Sequence, residues 1–75
     1  METIKDMVAI EVLTAIQQNP RITPAEIAEK TGITQQYVRN TLSTLVELHL
    51  IETPVRGIYN ITELGEYVLD YLQKE

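Results

Sequence analysis

Between Gly32 and Val46 the chain carries no acidic residue, and that window holds Thr34, Gln35, Gln36, Tyr37, Arg39, Asn40, Ser43 and Thr44. Their chemistry is hydrogen bonding in pairs. A Gln or Asn carboxamide places a donor beside an acceptor and matches the adenine edge, and a guanidinium forks onto the two acceptors of guanine. The hydroxyls of Thr34, Ser43 and Thr44 can donate to phosphate oxygens. If Val38, Leu42 and Leu45 point inward on a helix, then at about 100° per residue Gln36, Asn40, Ser43 and Glu47 point outward, with Arg39 and Tyr37 on opposite flanks. Gln35 falls in the exposed first turn, where capping is its alternative role. Tyr37 either packs on a neighbouring helix with its hydroxyl outward or touches a phosphate.

Other chemistries lack their parts. There is no cysteine and one histidine, so neither a disulfide framework nor a nitrogen or sulfur metal site can be assembled. Glu63 and Glu66 are a carboxylate pair without an accompanying base, nucleophile or metal cluster. No enzyme activity, cofactor or metal is therefore expected. No apolar run approaches the roughly 20 residues of a spanning helix, and the opening METIKDMVAI lacks the layout of a secretory signal. A soluble, cytoplasmic protein is expected.

The net charge is −5, which opposes a polyanionic partner until its distribution is followed. From Pro20 to Thr62, Arg21, Lys30, Arg39 and Arg56 balance Glu26, Glu29, Glu47 and Glu52. The excess lies in the terminal segments, where Lys5 and Lys74 stand against Glu2, Asp6, Glu11, Glu63, Glu66, Asp70 and Glu75.

The elements that would position the window are four helices and a ribbon. At 75 residues the chain is expected to form one domain, residues 1–75, which would bury only about 60% of the surface of the unfolded chain. Its 44% hydrophobic content includes no Phe or Trp, so the core must come from Ile, Leu and Val on several short elements. From Thr3 to Gln18, apolar residues at Ile4, Val8, Ala9, Val12, Leu13 and Ile16 follow helical spacing, with Met7 and Ile10 widening the stripe. Asn19-Pro20 ends it. Thr23-Pro24-Ala25-Glu26 opens a second helix with a capping box and proline at its first position, Ile27 and Ala28 facing inward. Gly32 stands where the chain must turn. Thr34 caps a third helix running to about Leu48, with Val46 and His49 also on its buried side. Leu50 to Thr53 and Ile58 to Ile61 read as a hairpin with Arg56-Gly57 at its tip. Thr62 caps a last helix whose Leu64, Val68, Tyr71 and Leu72 form a stripe flanked by Tyr67 and Leu69.

Ala28, Gly32, Val38 and Leu42 together have the internal logic of a helix-turn-helix: a small residue at the helix crossing, a glycine elbow, and two apolar anchors on the second helix. With a capped helix before and a hairpin after, the chain resembles, over essentially its whole length, the winged helix-turn-helix transcription regulators. EIAEKTGITQQYVRNTLSTLVELHLIE resembles the unit whose second helix is the recognition helix, and LIETPVRGIYNITELGEYVL is similar to small archaeal and phage-type repressors and to MarR-like regulators. The expected fold is mainly α with a small β-hairpin, in the order α-α-α-β-β-α. The resemblance implies sequence-specific double-stranded DNA binding, usually as a dimer, with residues 34–48 in the major groove and residues 53–58 as the wing.

On that pattern Arg56 enters a minor groove or contacts flanking backbone, its alternative being an ordinary turn arginine. Arg21 and Lys30 either touch phosphates or only solubilise the surface. Three or four phosphates neutralised per protomer would give a dimer a salt slope of roughly −5 to −7. Met7, Val8 and Ile10 with Tyr67, Val68, Leu69, Tyr71 and Leu72 are the expected dimer surface, and closure of a monomeric core by the same residues is the alternative. A different function on the same scaffold, a protein-interaction module in a larger complex, is favoured by the acidic balance.

Overall fold

Six elements follow in the expected order in the computed structural model, which describes residues 4–73. They are α1 (Ile4–Gln18), α2 (Pro24–Thr31), α3 (Gln35–Glu47), β1 (Ile51–Val55), β2 (Ile58–Ile61) and α4 (Glu63–Gln73). Thr3 and the side chain of Ile4 lie outside what is described.

α1 is the central post, packing against α2, α3, α4 and β2. Its Val8, Val12, Leu13, Ala15 and Ile16 join Ile22, Ile27, Val38, Leu42, Leu45, Leu50, Ile51 and Leu69 in one core. The breadth of the α1 stripe is thus accounted for largely inside the molecule. Val8 and Leu69, expected at a dimer surface, are buried in this core.

The start of α2 obeys its sequence signal. Thr23 Oγ1 accepts from Glu26 N at 3.2 Å, Glu26 Oε1 accepts from Thr23 N at 3.0 Å, and Pro24 occupies the first turn. At the other end Gly32 is left-handed, φ 77°, and its N–H donates to Ala28 O at 2.9 Å, satisfying a carbonyl the helix leaves open.

α3 departs from expectation at its C-terminus. His49 is exposed rather than on the buried side, and it has φ 64°. Helical periodicity holds only while the helix lasts, and the chain leaves it after Glu47. His49 N donates to Val46 O at 2.9 Å and Leu50 N to Leu45 O at 3.0 Å, the paired bonds of a Schellman turn with histidine at the position glycine prefers. Buried Leu45 and Leu50 are the apolar pair that accompanies this turn. A β-carbon in the left-handed region costs about 1 kcal/mol. His49→Gly is therefore expected to raise stability by about 0.5–1 kcal/mol in chemical denaturation, since both turn bonds use backbone atoms; a loss of stability would contradict the turn.

The hairpin is antiparallel, pairing Ile51 with Ile61, Glu52 with Asn60 and Val55 with Ile58. Between the last two pairs the register shifts by one residue, so Thr53 and Pro54 share the space opposite Tyr59. β1 therefore runs on to Val55, past the expected end at Thr53, because a bulge tolerates a residue with no N–H to give to the ladder. The turn is Arg56-Gly57, with Gly57 at φ 85°.

Thr62 ties hairpin to α4. Its hydroxyl accepts from Gly65 N at 2.9 Å and lies 2.8 Å from His49 O and 3.1 Å from Leu50 O, to which it can donate, while its own N–H donates to Leu50 O. The face α4 turns inward keeps only Val68 and Leu72 of the expected Leu64, Val68, Tyr71 and Leu72 stripe. Gly65 and Leu69 are buried, Val68 and Leu72 half-buried, and Leu64, Tyr67 and Tyr71 exposed. The cause is Gly65. A β-carbon there would overlap Leu50 O and come within 2.8 Å of Ile61 Cγ1, so α4 lies close against the Leu50 backbone and β2 at a residue that hydrophobic periodicity does not count.

Candidate nucleic-acid interface

Thr34 begins the site. It is extended, and its Oγ1 accepts from Tyr37 N at 3.2 Å, setting the helix start two residues after the Gly32 elbow. With the bend fixed, Val38, Leu42 and Leu45 anchor α3 in the core and its remaining face is turned to solvent. Gln35, Gln36, Arg39, Asn40, Ser43, Thr44 and Glu47 are all exposed, and Tyr37 is exposed at one flank. Among the described residues nothing packs over this face.

Two details order it. Gln36 Nε2 donates to Asn40 Oδ1 at 3.5 Å, linking carboxamides one turn apart. Thr44 Oγ1 donates to the Asn40 carbonyl at 3.3 Å, so this hydroxyl bends back to its own helix and would have to rotate to reach a phosphate.

The hairpin stands along one flank. A cleft between α3 and the strands is lined by Arg39, Leu42, Ser43, Val46 and Glu47 on the helix and by Thr53 and Tyr59 on the hairpin. Arg39 and Ser43 therefore share a surface with the strands. Thr53, expected only as the first residue of the wing, and Tyr59, which was not among the expected residues, belong to this arrangement. Alternation was a signal for them, since each lies two residues along its strand from a residue of the paired Ile51 and Ile61 and so shares that face. Arg56 is exposed at the hairpin tip.

Arg21 and Lys30 are brought together, but not in isolation. Both line a shallow groove beside α2 with Asn19, Pro20, Ile22, Glu26 and Glu29. The two carboxylates offset the two cations there. On the opposite flank of α3, Tyr37, Asn40 and Thr44 rim an apolar groove walled by α1 and α4 through Leu13, Val68 and Leu72.

A solvent-facing helix of amides and a guanidinium, set by a glycine elbow on a preceding helix and flanked by a β-hairpin, is the geometry of a DNA-reading unit. The family model for winged helix-turn-helix DNA-binding proteins matches residues 8–52, from α1 into β1. The chain belongs to this family. Among solved structures, the winged-helix chain is similar to a MarR family protein of Mycobacterium tuberculosis, at 20% identity and a TM-score of 0.75, over 97% of this chain and 53% of that one. It is also similar to IdeR of T. acidophilum, at 24% identity and a TM-score of 0.70, over 93% of this chain and 32% of that one. The likeness at these identities is one of fold, and the chain spans about half the length of the first and a third of the second. Among curated proteins none matches. No described helix of this winged-helix protein is long and apolar enough to cross a membrane.

Proposed function

We propose that this winged-helix protein is a transcriptional regulator, a repressor of the compact archaeal or viral type, that occupies a specific double-stranded DNA operator as a homodimer. The observation that carries the reading is the outward face of α3. It is exposed along its length and free of carboxylates from Gly32 to Val46; in the proposed complex its Gln35, Gln36, Arg39 and Asn40 face a major groove. Thr34, Tyr37, Ser43 and Thr44 supply phosphate contacts around it, and Arg56 reaches the adjacent backbone or minor groove from the wing. Met7, Tyr67 and Tyr71 are exposed and Ile10, Val68 and Leu72 half-buried. These form the surface for a second copy, which doubles the contacts and reads a half-site about 34 Å away.

The sparse positive charge makes base contacts more important than phosphate contacts. Titration of the protein against the DNA upstream of its own gene, at several salt concentrations, tests the reading. Tight binding relative to a scrambled duplex is expected, with log K falling against log salt at a slope of about −5, because Arg21 and Lys30 work beside Glu26 and Glu29. A slope near −3 would point to one protomer per site. Equal affinity for the scrambled duplex at low salt would overturn the operator reading.

A second reading, a winged-helix module that binds protein in a larger complex, is favoured by α4. Leu64, Tyr67 and Tyr71 are exposed there among Glu63, Glu66 and Asp70, an apolar and acidic face unlike that of α3.

A further inference from the structure

We infer that Asn40 is the adenine-reading residue of this interface and that Gln36 positions it, the two carboxamides addressing one base pair instead of two. The inference rests on the reading of α3 as the DNA-contacting helix and goes beyond it by dividing the labour between residues that composition alone makes equivalent.

The hydrogen bond from Gln36 Nε2 to Asn40 Oδ1, 3.5 Å on an exposed face, is the starting point. Residues four apart on a helix are separated by about 6 Å along its axis, whereas base pairs are stacked about 3.4 Å apart. Two amides reading their own bases would therefore diverge toward positions nearly two steps apart. Here they converge. Asn40 is the member whose capacity survives the contact: its Oδ1 accepts from Gln36 but keeps a second lone pair for the adenine N6 amino group, and both Nδ2 hydrogens remain for adenine N7. Gln36 has the longer, more mobile side chain, and tying it to its neighbour directs its amide across the helix surface instead of straight out.

Place in the row agrees. Asn40 lies one turn from Gln36 on the N-terminal side and one turn from Ser43 and Thr44 on the other, midway along the exposed row, with its outer edge on the groove against α1 and α4. Arg39, on the flank that lines the wing cleft, is then left to guanine or backbone, and the half-site is expected to hold one adenine fixed by the centre of α3.

Selection of binding sites from random duplexes, followed by competition with duplexes changed at single base pairs, tests this on the whole chain as parent, Asn40→Ala, Gln36→Ala and the double variant. All four should keep the parent's melting temperature within a few degrees, both positions being exposed. The parent should select one adenine per half-site, and Asn40→Ala should lose roughly 5- to 150-fold discrimination there. Gln36→Ala should weaken preference at that same base pair, and the double variant should behave like Asn40→Ala alone. If Gln36→Ala erases preference at a different base pair and its effect multiplies with that of Asn40→Ala, each amide reads its own base and the inference fails. It fails equally if Asn40→Ala leaves every preference intact. A parent that selects no sequence at all removes the operator reading itself, and the division of labour with it.

Discussion

Gly65→Ala is expected to destabilise the protein by about 3 kcal/mol or more, lowering its melting temperature by roughly 12–24 °C. In an unencumbered helix the same change has the opposite sign, a gain of up to about 1 kcal/mol, because glycine is the poorer helix former. The reversal comes from what the new methyl would meet. It would overlap the Leu50 carbonyl, which already accepts from Thr62 N, and press on Ile61 Cγ1 at 2.8 Å. Ile61 can adjust; the Leu50 backbone cannot, since Leu50 N is tied to Leu45 O in the turn ending α3 and Leu50 is buried beside it. Relief therefore requires α4 to move off the hairpin, which opens the contacts of Leu69. Thermal melting followed by circular dichroism measures the effect, with Glu66→Ala, one residue away and exposed, as a control expected to change little. A melting temperature raised by Gly65→Ala would show that helix and hairpin are not this close.

Arg39→Ala combined with Asn40→Ala is expected to reduce affinity for the operator roughly 30- to 20,000-fold, on the basis of about 1–3 kcal/mol for each paired base contact. Binding would fall to the level of a scrambled duplex. The fold should be untouched. Both side chains are exposed, neither contributes to the core, and alanine is at least as good a helix former as arginine and better than asparagine. Fluorescence anisotropy with operator and scrambled duplexes, beside a melting curve, separates loss of contact from loss of structure. Retained operator affinity in a folded double variant would transfer the binding role to some other surface, and the acidic, apolar face of α4 then becomes the one to examine as a protein contact.

These two expectations also mark where sequence was and was not sufficient. Elements were legible wherever local chemistry is self-contained. Thr23, Pro24 and Glu26 form a capping box from backbone and side-chain atoms within four residues, and Gly32 takes the left-handed conformation its position required. The exposed row of α3 followed from three apolar anchors and the helical repeat. What escaped depends on tertiary approach. The rotation of α4 is set by a glycine, a residue with no side chain to register as part of an apolar stripe. His49 continues the helical repeat on paper, yet the chain turns left-handed there, a conformation histidine rarely signals. Alternation put Thr53 and Tyr59 on the faces of Ile51 and Ile61, but their partnership with Arg39 and Ser43 depends on how the hairpin packs against α3. Arg21 and Lys30 were recognised as cations near α2, but the carboxylates sharing their groove become apparent only once α2 is folded against the turn that precedes it.

In the proposed function, α3 and the wing are the surface that meets DNA. Mapping backbone amide shifts of isotopically labelled protein during titration with operator duplex tests that most directly. The predicted result is a contiguous set of perturbed residues from Thr34 to Thr44 together with Thr53 to Ile58, and no direct effect at Leu64, Tyr67 or Tyr71. Perturbation centred on α4, with Gln36, Arg39 and Asn40 unmoved at saturation, would contradict it.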